Sequence, residues 1–266
     1  MSFFSSIFGG KNAQPSATDH QKTNVPQTKT PSKGYPSVSG LYPHEIILLS
    51  MAEKYKTNET KYPDKLRTDY GIGFPKELFS KLFKGGYIRA AGASESLNNL
   101  KLVELKAIAE ASGVNTGGKK SDLCERISNS VSEHDLENFI SERYWKITEK
   151  GEAELRDNMY LDLLTGDHTF SLQQVGIDIL FLNKMHNEKP QLHVRDVVWG
   201  ELNRISLVEY KESFSSKNFS KYCEVLRTMA LFLEEEQKHS QSLSQYCRYI
   251  HYNNSYRAGF AALNDL

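Results

Sequence analysis

The chain has 266 residues, and its 33 Lys+Arg balance 33 Asp+Glu, so the formal net charge is zero. That length suits one large domain or two to three small ones, and a hydrophobic share of 39% leaves room for a polar tail. A uniform polybasic coat is excluded, but local basic surfaces are not, because a sum hides the distribution.

Along the chain, residues 1–40 and 41–90 each carry an excess of three positive charges, and residues 131–165 an excess of five negative ones. Cys124, Cys223 and Cys247 are far apart, odd in number and in no Cys-x-x-Cys pair. A disulfide scaffold or zinc cluster is therefore not expected, and a reducing cytoplasm fits. No apolar run approaches the roughly 18 residues of a membrane span. The start carries Phe3, Phe4, Ile7 and Phe8 but lacks the basic and long apolar regions of a secretory signal.

Residues 11–40 are polar and proline-punctuated, and the first 40 residues read as a disordered tail. Order begins at Leu41. Pro43 suits a first helical turn, and an apolar stripe continues to about Tyr55. A short helix is expected over Asp64–Tyr70. Pro75 opens another, with Leu78, Phe79, Leu82 and Phe83 as its buried face and Lys76, Ser80, Lys81 and Lys84 mainly opposite. Gly85-Gly86 ends it, and Tyr87-Ile88-Arg89 reads as a strand.

Tyr144–Ile147 is a second strand candidate. Thr148 then caps a helix over 149–164, with Glu152 close to the capping-box position. After Gly166 only helices are expected, over 171–186, 193–209, 217–238 and 241–253. Their 3.6-residue stripes, the last made of Leu243, Tyr246, Cys247 and Ile250, predict a bundle.

The most specific stretch is Ser96–Ile127. It reads as two short helices around a stiff turn. Leu102, Leu105, Ile108 and Ala109 face inward on the first, Gly113 stops it, Val114 plugs the gap, and Leu123 and Ile127 recur on the second. A core of about seven side chains is marginal at this size. Gly117-Gly118-Lys119-Lys120 forms a helix N-terminus without bulky side chains, a ready place for a phosphate. Lysines oppose the helix dipole there, which an anionic partner would offset.

This stretch resembles the SAP domain, a helix–extended-turn–helix DNA-binding module. The matching residues are Leu100, Leu102, Glu104-Leu105-Lys106, Gly113-Val114, Gly118-Lys119-Lys120, Leu123 and Glu125-Arg126-Ile127. Val114 replaces a usual Leu, Gly117 a frequent Ser, and Lys101 stands where a capping Thr is common. The resemblance implies binding to duplex DNA, often AT-rich, while some members contact proteins. It implies Lys101, Lys106, Thr116, Gly117, Gly118, Lys119, Lys120 and Arg126 as contact residues. A phosphate-binding P-loop is not expected, because Lys120 sits where the magnesium-binding hydroxyl belongs and a helix precedes the glycines. His44-Glu45 likewise lacks its second histidine, since Leu48 stands in that place.

The flanks resemble two halves of a MarR- or PadR-like winged helix: a helix ending in Gly-Tyr-Ile, and a return strand Ile147-Thr148-Glu149-Lys150-Gly151. Yet 54 residues separate Arg89 from Tyr144. The expected architecture is mainly α with a small β-wing. A winged-helix-like domain, 41–91 and 142–165, carries an inserted SAP hairpin, 92–141, and a helical bundle, 166–266, follows. Loop closure grows only logarithmically with length, so a wing tip accepts such an insertion cheaply. In that arrangement Lys76, Ser80, Lys81 and Lys84 face a groove, and Arg89 and Lys146 flank phosphates. Few Asn, Gln or Arg lie on that face, so contacts should be mainly to the backbone.

No carboxylate pair, Cys/His arrangement or metal-ligand spacing points to catalysis, a cofactor or a metal. The expectation is a cytoplasmic, non-enzymatic DNA-binding protein, of a size that suits a bacterial or phage accessory role. Its bundle would serve a homo-oligomer or a protein partner. The alternatives are a protein-interaction adaptor and the DNA-targeting subunit of an enzyme complex.

Overall fold

In the computed structural model, the residues described are 33–257. Most of the expected tail lies outside them. Its end, 33–40, is described and packed: the Tyr35 N–H donates to Asn183 Oδ1 at 2.6 Å, and the Ser39 hydroxyl to Glu154 at 2.5 Å.

Helix α1 is Pro43–Ser50, followed by a 3-10 turn at Ala52–Lys54; α2 is Lys65–Tyr70 and α3 is Pro75–Lys84. Pro43 and Pro75 each stand in a first turn, where no intrahelical N–H is lost. Of the expected inner face of α3, Phe79 and Leu82 are buried. Phe83 is 50% exposed, its ring resting on Trp145 at 5.7 Å. Gly86, at φ 74°, takes the left-handed turn that releases the chain from α3.

Strand β1, Ile88–Ala90, pairs antiparallel with β2, Trp145–Ile147, in the register Ile88↔Ile147, Arg89↔Lys146, Ala90↔Trp145. The next rung, Ala91 N–H to the Tyr144 carbonyl, closes the ladder at 2.8 Å. The intervening residues form α4 (Ala93–Ser96), α5 (Leu102–Ala111), α6 (Lys120–Ser130) and α7 (Glu133–Phe139). They bury their own cluster, which includes Leu97, Leu105, Ile108, Leu123, Ile127, Leu136 and Ile140. This core is larger than the expected one because α4 and α7, absent from the sequence reading, add Ala93, Leu136 and Ile140. Leu102, expected inside, is 42% exposed.

Helix α8 is Glu149–Asp157. Thr148 caps it by accepting the Gly151 N–H at 3.2 Å and donating to the Gly86 carbonyl at 2.7 Å. Gly151 therefore holds the third helical position, and Glu152 falls one residue beyond the capping box. Gly151 is also where α8 meets β1: a Cβ there would collide with the Tyr87 carbonyl and lie 2.7 Å from Ile147 Cγ2. The helix expected to reach 164 stops at Asn158, whose amide donates to the Glu154 backbone carbonyl at 2.9 Å and carboxylate at 3.1 Å. A 3-10 turn, Met159–Leu161, and α9, Asp162–Thr165, follow.

The expected helix 171–186 is likewise divided. Gly176 at φ 86° ends a 3-10 turn, and Asp178 caps α10, Ile179–Glu188, by accepting the Phe181 N–H at 2.8 Å. Helices α11 (Val194–Ser216), α12 (Ser220–Glu235) and α13 (His239–Arg257) complete the described chain. The main core runs through α1, α3, the 3-10 turn after α8, α10 and α12, with Ile47, Leu49, Phe79, Leu182 and Phe232 among its members. A third cluster centres on Phe219, Tyr222 and Leu226, against which Tyr210, Tyr249 and Tyr252 pack. Three of the four residues of the expected inward stripe on α13 instead face out: Leu243 is 63% and Ile250 53% exposed, and Cys247 is exposed, while Tyr246 is half-buried. The tyrosines displace it, because their rings bury more area and satisfy one another edge to face.

Candidate nucleic-acid interface

The turn between α5 and α6 is built from glycine conformations and two tethers. Gly113 at φ 69° and Gly118 at φ 100° take left-handed backbone that a side chain would strain. Between them, the Gly117 N–H donates to Asn115 Oδ1 at 2.9 Å, and the Arg126 guanidinium reaches back to the Gly117 carbonyl. Val114 is half-buried against the small core, as a plug should be. Thr116 is half-buried in the same turn.

Helix α6 starts with Lys119 as its N-cap, and no side chain caps it. The N–H groups of its first turn thus have no intrahelical partner. Lys120 Nζ donates to the Asn98 carbonyl at 2.7 Å. That bond draws the start of α6 to residues 97–99 and so toward the start of α5, three residues further on. Lys101 is the N-cap of α5, and its backbone N–H donates to Glu104 at 2.6 Å. The start of each helix carries a partial positive charge. The Lys101, Lys106 and Lys119 side chains are exposed and make no ion pair among the described residues.

The second expected group is divided by its partners. On α3, Lys76, Ser80 and Lys84 are exposed and unpaired among the described residues. Lys81 instead closes on Glu45, whose side chain is 5% exposed, at 2.6 Å. Arg89 holds Glu95 in a two-pronged pair, 2.7 and 2.6 Å, and the guanidinium and the Gly92 N–H keep that carboxyl at about 2. Lys146 pairs with Glu53 at 2.8 Å. Lys81, Arg89 and Lys146 are thus spent within the protein. No hydrogen bond or ion pair joins the Gly117–Lys120 turn to α3 among the described residues.

Sequence reasoning passed over three positions that shape the site. Asn98 acts only through its carbonyl, which carries no sequence signal. Glu133 on α7 accepts the Ala93 and Ser94 N–H groups at the start of α4, and the Ser94 hydroxyl, followed by those N–H groups, holds its carboxyl below the ordinary value. Lys150 donates to the Gly85 carbonyl at 2.7 Å and lies 4.1 Å from the Tyr87 ring centre, closing the end of α3.

Helix, glycine turn, uncapped lysine-flanked helix and private core together decide the assignment of this segment. Residues 96–131 match the family model of the SAP domain. The match covers α5, the glycine turn and α6, and stops before α7. It points to DNA binding in general terms. A search of curated proteins gives no match to the chain. Among the described residues, no three or more His, Cys, Asp or Glu are grouped to hold a metal ion. No helix there is long and apolar enough to cross a membrane.

Proposed function

We propose that this chain is a cytoplasmic, non-enzymatic accessory or regulatory protein of bacterial or phage type. It grips duplex DNA mainly through the phosphate backbone. The SAP module presents Lys119, Lys101 and the N-terminal turns of α5 and α6. In this reading α1–α3, the two strands and α8 make a winged-helix-like domain with the module set into its wing. Lys76, Ser80 and Lys84 then add phosphate contacts from α3. The observation that carries the reading is the uncapped start of α6 beside Lys119, tied by the Lys120–Asn98 bond to the turn that leads into α5. Free backbone N–H groups and a mobile cation at one point suit a phosphate oxygen and carry no sequence information.

The test is retardation of a duplex at several salt concentrations, with AT-rich and GC-rich probes compared. Binding should weaken steeply with salt. Absent retardation at low salt, or a flat salt response, overturns the reading. That result favours an adaptor, or the targeting subunit of a DNA enzyme, for which the outward Leu243 and Ile250 on α13 offer a docking face for a protein or a second copy.

A further inference from the structure

The two sides of α13 have different work to do. Tyr249 and Tyr252 pack inward on the cluster of Phe219, Tyr222 and Leu226, and Ser242 is buried on the same side. On the outward side stand Ser240, Leu243, Cys247, Ile250 and Asn254, all exposed. They recur at alternating steps of three and four residues, which is the a/d seam of a coiled coil.

This seam is almost free of charge. Residues 239–254 contain no Asp, Glu or Lys, and their one arginine, Arg248, turns its guanidinium to the Tyr222 hydroxyl. Ser244, Tyr246, His251 and Asn253 flank the seam. The outward apolar groups of α11, Leu207 and Phe214, differ, because Glu209, Lys211 and Glu212 stand between them in sequence. A two-fold contact sets a patch against the same patch on its copy, so a charged face repels itself and an uncharged one does not. Asn254 is self-complementary, since an amide both donates and accepts. An asparagine at an a position also fixes the register of two paired helices. The helix is already formed and held against Tyr222 and Leu226, so pairing pays no ordering cost for α13.

We propose that a second copy of this chain docks on α13. The two helices run parallel and in register, and Leu243, Cys247, Ile250 and Asn254 each meet their counterparts. A seam of about two heptads is short, so the dimer exchanges with monomer at roughly micromolar concentration. This pairing goes beyond DNA binding and does not rest on it.

The experiment is sedimentation equilibrium of the full chain from about 1 to 200 μM. The average mass should rise from 30.3 kDa toward twice that value. Leu243→Lys/Ile250→Lys, at two exposed positions, should weaken association at least tenfold with an unchanged circular dichroism spectrum. Leu207→Lys on α11 should leave association unchanged. A second measurement needs no substitution: maleimide labelling of Cys247 should slow at least twofold across the same concentrations, read against the buried Cys124 and Cys223. Three results overturn the proposal: a monomer mass at the highest concentration, a dimer that the double variant leaves intact, or Cys247 labelling independent of concentration. The first of these leaves the face to a different protein.

Discussion

Lys120 Nζ and the Asn98 carbonyl, 2.7 Å apart, fasten the start of one SAP helix to the lead-in of the other. The two lysines of the Gly-Lys-Lys sequence therefore have different jobs. Lys119 faces solvent, while Lys120 holds the turn closed. Lys119→Ala should lower the slope of log K against log salt by about one and leave stability within about 0.5 kcal/mol. Lys120→Ala should also loosen the module by roughly 0.5–1 kcal/mol. Salt-dependent retardation and denaturant unfolding of both variants separate these effects.

Lys81 and Lys84 lie on one helix, but only Lys81 is committed to a partner. Lys81→Ala leaves the almost buried Glu45 carboxylate without its cation, at a cost of roughly 1–3 kcal/mol. Lys84→Ala should leave stability unchanged and weaken DNA binding. Equal losses of DNA affinity without loss of stability would place Lys81 at the DNA after all.

Gly151→Ala should disrupt the junction of α8 with β1, because the added methyl meets the Tyr87 carbonyl and the Ile147 side chain. The expected cost is about 1–3 kcal/mol. Thr148→Ala, which removes the cap, should cost about 1 kcal/mol. Thermal unfolding of the two variants gives the order.

The Arg89–Glu95 pair ties the inserted module to β1. Glu95 is held at about 2, below the ordinary carboxyl value of 4.5. In that window the unfolded chain binds more protons than the folded one, so stability rises with pH. The contribution is present above 4.5 and is lost as pH falls toward about 2. Both side chains are partly exposed, so its size should stay below about 1 kcal/mol. Glu95→Gln should flatten that part of the acid unfolding curve.

Replacing residues 92–141 with a short Gly/Ser loop should leave a cooperatively folded remainder, because the two hydrophobic clusters share no residue. Circular dichroism and a thermal melt decide it. Collapse of the whole chain would mean that the module supports the fold around it.

Much of this molecule is readable without coordinates. The prolines and glycines that bracket α3, the Thr148 cap and the α5–α6 hairpin all act locally, through backbone preferences that need no distant partner. What escaped is partly local punctuation inside an apolar period and partly long-range. Asn158 and Gly176 break helices whose apolar period continues past them. Tyr249 and Tyr252 win the inner face of α13 from Leu243 and Ile250 because of rings on α11 and α12. In the site, the lysines and arginines were visible as charges, but only the partners Glu45, Glu95 and Glu53 tell which of them are spent. The winged-helix likeness of the flanks rests on local sequence alone.

The ladder between β1 and β2 is three residues long on each side, and both ends of the inserted module pass through it. A module on a single linker swivels freely, whereas one held by two adjacent strands has little more than a rocking motion about their shared edge. Whatever the module grips is thus presented to the rest of the protein within a narrow arc. In the proposed reading, a second, weaker contact from α3 would then act as an intramolecular event at high effective concentration, and two modest grips would combine into a firm one.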